Sequence, residues 1–156
     1  MAKKVIKMSK MPGVGLGVMI LNHDGKVLMI LRNSDNDLAK SDMHLEGEWT
    51  LPAGKVKLGE TLINAAKRKV KEEVNLDIDN IDVISVADDI NEFAHFLTIG
   101  LIAYEHSGDI KIDNVEHVDY DFFDINNIPT NTCFPTKKII KNYVNNKIYK
   151  GSDDNE

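Results

Sequence analysis

The chain has 156 residues, 42% of them hydrophobic, a content suited to one domain around one core. Its net charge of −6 argues against a duplex nucleic-acid binder, which needs a basic face, yet an acidic chain still holds a phosphorylated ligand when a metal ion supplies positive charge. The lone Cys133 excludes an intramolecular disulfide and fits a reducing compartment, and no apolar run of about 18 residues is present to cross a membrane. Residues 1–12 read as a basic N-terminal arm without an apolar signal core, so a cytoplasmic protein is expected. Val14 to Leu21 is a glycine-punctuated apolar run. After the turn Asn22-His23-Asp24-Gly25, Lys26 to Leu31 forms a second, and the two read as a β-hairpin or as neighbouring strands. Gly13, Gly15 and Gly17 lack the Gly-Lys-Ser/Thr that completes a phosphate loop. They fit a strand that another backbone or a ligand approaches closely. Asn33 to Glu48 is polar and irregular, a candidate wall for a cleft.

Gly54 to Leu76 carries most of the chemistry. The turn Leu58-Gly59 precedes a run of good helix formers from Thr61 to Val74. At about 100° per residue, Ile63, Ala66, Val70 and Val74 share an apolar stripe, with Lys69, Glu72 and Glu73 beside it. Arg68 lies on the far side of Glu72, within reach of a loop carboxylate such as Glu60. Two adjacent carboxylates at the rim of a buried helix need a positive partner, and magnesium bridged to a phosphate is one. An intrahelical pair of Lys69 with Glu72 or Glu73 on a solvated face is the plainer alternative. Further on, Val83 to Ala87, Phe96 to Tyr104 and Tyr120 to Phe123 read as strands, and Pro135-Thr136 opens a last helix to about Ile148. Residues 150–156 read as a disordered tail, leaving residues 13–149 as the domain. Strands on both sides of one helix, with a second helix at the end, predict an α/β/α sandwich around a mixed β-sheet.

Gly54, Glu60, Arg68, Val70, Glu72, Glu73 and Leu76 resemble the Nudix box, G-x5-E-x7-R-E-U-x-E-E-x-G-U, where U is bulky and aliphatic. The preceding Gly47-Glu48-Trp49-Thr50-Leu51-Pro52-Ala53 is similar to the segment that leads into that box. Two positions depart. Asn75 replaces the glycine after the helix, where asparagine tolerates a left-handed cap. Lys69 replaces a glutamate that in the family binds metal or helps to activate water, and an ammonium cannot ligate a cation.

The resemblance implies the Nudix-type α/β/α fold and a MutT-like nucleotide pyrophosphohydrolase. The expected reaction is Mg²⁺-dependent cleavage of a nucleoside or deoxynucleoside triphosphate, with Mn²⁺ able to substitute. ADP-ribose or another nucleoside diphosphate derivative is the alternative substrate, and a weakened nucleotide-binding protein is the alternative that Lys69 raises. The implied metal ligands are the Ala53 carbonyl, Glu72 and Glu73, with Glu60 and Arg68 orienting them. Arg32 resembles a phosphate-binding arginine but also reads as a plain strand-end residue; Lys55 is a second candidate phosphate contact. Asn131 resembles a base-reading asparagine, against the simpler reading of a turn asparagine. Glu116 and Asp119 occupy the region of a further family carboxylate, against the simpler reading of solvated loop acids. His23, His44, His95, His106 and His117 form no close-spaced pair and read as scattered structural or surface residues, as Cys133 reads as a structural or surface thiol. A homodimer is compatible with the family, although no stripe identifies an interface.

Overall fold

A computed structural model describes residues 11–149, so most of the expected N-terminal arm, and all of the expected tail, lie outside the described residues. The elements are β1 (Gly13–Ile20), β2 (Val27–Arg32), α1 (Asn36–Ala39), β3 (Trp49–Thr50), β4 (Ala53–Lys55), α2 (Leu62–Val74), β5 (Asp77–Ile90), β6 (His95–Ser107), β7 (His117–Phe123) and α3 (Phe134–Val144). They form a four-stranded sheet in the order β4-β1-β6-β5 and a three-stranded sheet in the order β3-β2-β7. The first sheet is mixed, because β1 runs parallel to β6 and antiparallel to β4. The expected sandwich is present, with its strands divided between two sheets.

Alternation along β1 builds two cores. Leu16, Val18 and Ile20 pack with Ala65, Ala66, Val70 and Val74 of α2, while Met19 packs with Ile139 and Ile140 of α3. Burial of each such valine or isoleucine contributes about 1.5–3 kcal/mol. The glycines of β1 belong to this arrangement. Gly17 pairs with Gly100 of β6, and a Cβ on either would come within 2.8 Å of an Ile139 side-chain carbon. Their missing side chains let α3 lie close on the sheet.

Several boundaries differ from the sequence expectation. Among the described residues the first two apolar runs share a Leu21–Val27 β-bridge and then separate into different sheets, although their side chains pack in one core. β5 is much longer than Val83 to Ala87, because its outer half pairs with β6 through polar residues such as Asp77 and Asp79. β7 starts earlier, at His117, and α3 ends at Val144. The polar segment before β3 holds one helical turn, α1, capped by the Asp35 side chain, which accepts from Asp37 N–H.

Candidate functional site

The helix α2 is capped at both ends by side-chain type. Thr61 accepts a hydrogen bond from the Asn64 N–H, and Asn75 takes the left-handed conformation at φ 63°, as the substituted box position requires. The face it buries differs from the expected stripe. Ile63 is 38% exposed, whereas Ala65, Ala66, Val70, Glu73 and Val74 are buried. The helix is thus rolled so that Glu73 falls among the buried positions instead of beside them. The reason is tertiary: β1, β4 and β5 pack on α2, and the Ala53 N–H of β4 donates to Glu73 Oε1 at 2.7 Å.

At the rim, Arg68 acts as a fork. Its Nε donates to Glu60 Oε2 at 2.7 Å and its Nη2 to Glu60 Oε1 at 2.9 Å. Nη2 also donates to the Lys55 carbonyl at 2.9 Å, and Nη1 reaches both Glu72 oxygens at 3.4 Å. This bidentate grip ties the loop to the helix and holds the Glu60 carboxyl down at about 2, mainly through the Arg68 hydrogen bonds. Glu72 is partly exposed. Burial works against its charge, but Lys69 and Arg68 outweigh it and keep its pKa below the ordinary carboxylate range.

Lys69 lies inside this cluster. Its ammonium is 3.3 Å from Glu72 Oε2 and 3.8 Å from Glu73 Oε2, so it pairs with both carboxylates. Its stem runs over Gly54, where an added Cβ would collide with the Lys69 Cε. The plain salt-bridge expectation and the metal-site expectation therefore meet in one place: the lysine puts a positive charge on the two carboxylates that a divalent ion would use.

Glu73 has further neighbours from outside the helix. Its residue exposure is 8%, and burial raises its pKa to about 7 against the pull of Lys69, the Ala53 N–H and Arg32. His117, 2% exposed, places Nε2 at 3.7 Å from Glu73 Oε2, beyond hydrogen-bond distance. That nitrogen has no hydrogen-bond partner among the described residues. Burial, with Arg32 nearby, lowers the His117 pKa to about 4, so the imidazole is neutral at pH 7. Glu116 joins them: ligand-type atoms of Glu73, Glu116 and His117 all lie within 4.8 Å of one another. Asp113 shapes this corner, its Oδ1 accepting the N–H groups of Val115, Glu116 and His117. The ladder between β2 and β7 shifts register at Leu31/Arg32, which brings Arg32 opposite His117.

Arg68, Lys69, Glu72, Glu73 and Glu116 line a cavity of about 530 Å³ whose wall also includes Arg32, Lys55 and Thr98, while His117 is not one of its lining residues. Lys55 forms an ion pair with Asp42 across its mouth. The structure therefore brings Arg32, Ala53, Lys55, Arg68, Glu72 and Glu73 to one cleft, with Glu60 behind Arg68. Asn131 stands apart. Its amide donates to the Gly47 carbonyl at 3.2 Å, and it is not one of the cavity-lining residues. Asp119 is exposed on β7, whereas Glu116 is half-buried and faces the cavity. Cys133 is buried and donates through Sγ to Thr136 Oγ1 at 3.2 Å, as a structural thiol would. Sequence reasoning missed His117, since its nearest partners come from α2. Its only signal was position, directly after Glu116 and ahead of an apolar strand.

A helix edge thus carries paired carboxylates, braced by an arginine fork, in one cleft with Arg32 and Lys55. The NUDIX domain family matches residues 11–143, and the chain belongs to the Nudix hydrolase family. A relative from Methanocaldococcus jannaschii named ADP-ribose pyrophosphatase is 30% identical over 127 residues, covering 80% of this chain and 69% of its own. A NAD-capped RNA hydrolase, NudC, of Photorhabdus laumondii is 34% identical over 104 residues, but the match spans only 40% of that relative. Among solved structures, a MutT NUDIX hydrolase from Burkholderia pseudomallei shares the fold at a TM-score of 0.75 and 24% identity, over 85% of this chain and 98% of that one. A MutT protein from Methanosarcina mazei Go1 does so at a TM-score of 0.72 and 19% identity, over 88% and 95%.

Proposed function

We propose that the chain hydrolyses a nucleoside or deoxynucleoside triphosphate to the monophosphate and pyrophosphate. The observation that carries this reading is the Arg68 fork, which ties Glu60 behind it to Glu72 in a cleft that also contains Glu73, Arg32 and Lys55. Oxygen donors of Glu72 and Glu73 and the Ala53 carbonyl suit a hard ion, Mg²⁺ or Mn²⁺, once Lys69 yields its place beside Glu73. Such an ion would neutralise phosphate oxygens and acidify water. The residues do the rest. Arg68 and Glu60 orient the helix edge, and Lys55 and Arg32 meet phosphate charge. Glu72, ionised because Lys69 and Arg68 lower its pKa, can accept the proton of the attacking water. Water oxygen bonds to phosphorus as the bridging P–O bond breaks, and pyrophosphate leaves with the electron pair.

A second reading has its own support. The relative named ADP-ribose pyrophosphatase favours a nucleoside diphosphate derivative, and a further cavity of about 690 Å³ adjoins the first through Lys40, Asp42, Lys55 and Phe96. The acidic charge and free buried thiol accord with a cytoplasmic setting. Magnesium-dependent hydrolysis assayed across nucleoside triphosphates and ADP-ribose, with each released phosphate species identified, tests both. Turnover of triphosphates supports the first reading, and turnover confined to ADP-ribose replaces it with the second. Binding without turnover of either would make the chain a nucleotide-binding protein weakened by Lys69.

A further inference from the structure

We propose that Glu73, Glu116 and His117 form a mixed oxygen–nitrogen metal site that takes a borderline divalent ion, such as Mn²⁺, Fe²⁺, Co²⁺ or Zn²⁺, in preference to Mg²⁺. The inference rests on the hydrolase reading only in sharing Glu73 with it. Three side chains converge from two elements, α2 and the start of β7, with their ligand atoms within 4.8 Å of one another. A group of acids alone would say little, but His117 adds an independent sign. It is 2% exposed, and its Nε2 faces Glu73 with no hydrogen-bond partner among the described residues. An unpaired ring nitrogen in such a place is costly unless something else meets it, and a metal ion is one such partner. Glu73 Oε1 is already fixed by the Ala53 N–H, which leaves Oε2 as the atom that faces His117.

The helix explains why a nitrogen ligand matters in this chain. Lys69 stands where the family pattern has a carboxylate, and its ammonium pairs with Glu72 at 3.3 Å. One oxygen donor is missing from α2, and β7 supplies an imidazole beside Glu73 Oε2. Imidazole nitrogen favours later first-row ions over Mg²⁺, which prefers oxygen and retained water. Three protein ligands also leave positions open for water or a phosphate oxygen. Lys69 keeps Glu72 as its partner when the ion takes Glu73. The register shift at Leu31/Arg32 and the Asp113 turn hold Glu116 and His117 in place before any ion arrives.

The full chain, stripped with chelator, is titrated with Co²⁺, Mn²⁺ and Mg²⁺ by calorimetry, and bound Mn²⁺ is examined by pulsed EPR for directly coordinated ¹⁴N. The expected result is Co²⁺ and Mn²⁺ binding at least about tenfold tighter than Mg²⁺, with a ¹⁴N coupling. His117→Gln should weaken Co²⁺ binding about 10- to 100-fold and abolish the coupling. Glu116→Gln, which leaves the buried ring intact, should weaken Co²⁺ to a similar degree, and thermal melts confirm that each variant folds. Absence of ¹⁴N coupling, or Co²⁺ binding unchanged in both variants, overturns the site. If ions bind through Glu72 and Glu73 without His117, the hydrolase reading stands and this inference falls. If Co²⁺ binds through His117 but no nucleotide is cleaved, the inference stands and the hydrolase reading falls.

Discussion

Along the rim of α2, Arg68 and Glu72 meet the loop residue Glu60 across short stretches of chain and stay partly in solvent, while half-buried Glu116 and enclosed His117 reach Glu73 from the start of β7. The first group is held by charge-assisted hydrogen bonds whose partners helix periodicity already brings near. The second depends on a register shift, a turn around Asp113 and the roll of α2 toward the sheet. The exposed group keeps ordinary ionised carboxylates, with Glu60 and Glu72 shifted down, whereas the enclosed one shifts Glu73 up and His117 down. Solvent and arginine stabilise charge at the rim; burial suppresses it inside.

The contrast is broken most sharply at Glu73, which belongs to both groups. Glu73→Gln should lower hydrolysis by about a thousandfold while the chain still folds, as read by steady-state assays beside a circular dichroism spectrum. Lys69→Glu should raise Mg²⁺-dependent turnover by about tenfold or more, because a carboxylate replaces the ammonium paired with Glu72 and Glu73. No gain in kcat would mean that the ligand set does not run through that position.

Away from the site, Gly100→Ala should cost about 1–3 kcal/mol in denaturant unfolding, since its Cβ would meet Ser85 Cβ at 2.7 Å and Ile139 Cγ2 at 2.8 Å. An unchanged midpoint would show that α3 moves away freely.

The smallest effect lies in pH. In chelator, the Glu73 pKa of about 7 exceeds its ordinary 4.5, so between those values the folded chain holds a proton that the unfolded chain releases. Stability from Glu73 therefore falls as pH rises through that window. His117 acts oppositely: its pKa near 4 lies below the ordinary 6.5, and its contribution rises from about pH 4 to 6.5. The two offset each other in the parent chain. Glu73→Gln should leave a melting temperature that climbs with pH from 4.5 to 6.5, and His117→Gln one that declines from 5 to 7. Identical profiles for both variants would show that these groups do not titrate as enclosed residues.

Much of the rim was legible because its spacing is local. Glu60, Arg68 and Glu72 follow from loop length and helical repeat, and Asn75 caps the helix as its side chain allows. The interior was less so. Ile63 looked like a core position yet lies exposed, because the packing of β1, β4 and β5, and the bond from Ala53 to Glu73, set the roll of α2. His117 looked like one scattered histidine among several, since no periodicity links the start of β7 to α2. Glu116 and His117 are also neighbours in sequence, which on a regular strand would point them to opposite faces. The bend held by Asp113, just before the strand begins, lets both reach Glu73.

The amino-acid order by itself determined the helix, its caps, the arginine fork and the lysine among the carboxylates, because each depends on residues within a turn or two of chain or on one short loop. The tertiary structure alone decided which helix face is buried, that an imidazole stands against Glu73, and that Asn131 spends its amide on Gly47. Those outcomes come from packing between distant segments, where burial and register, not local spacing, choose the partner.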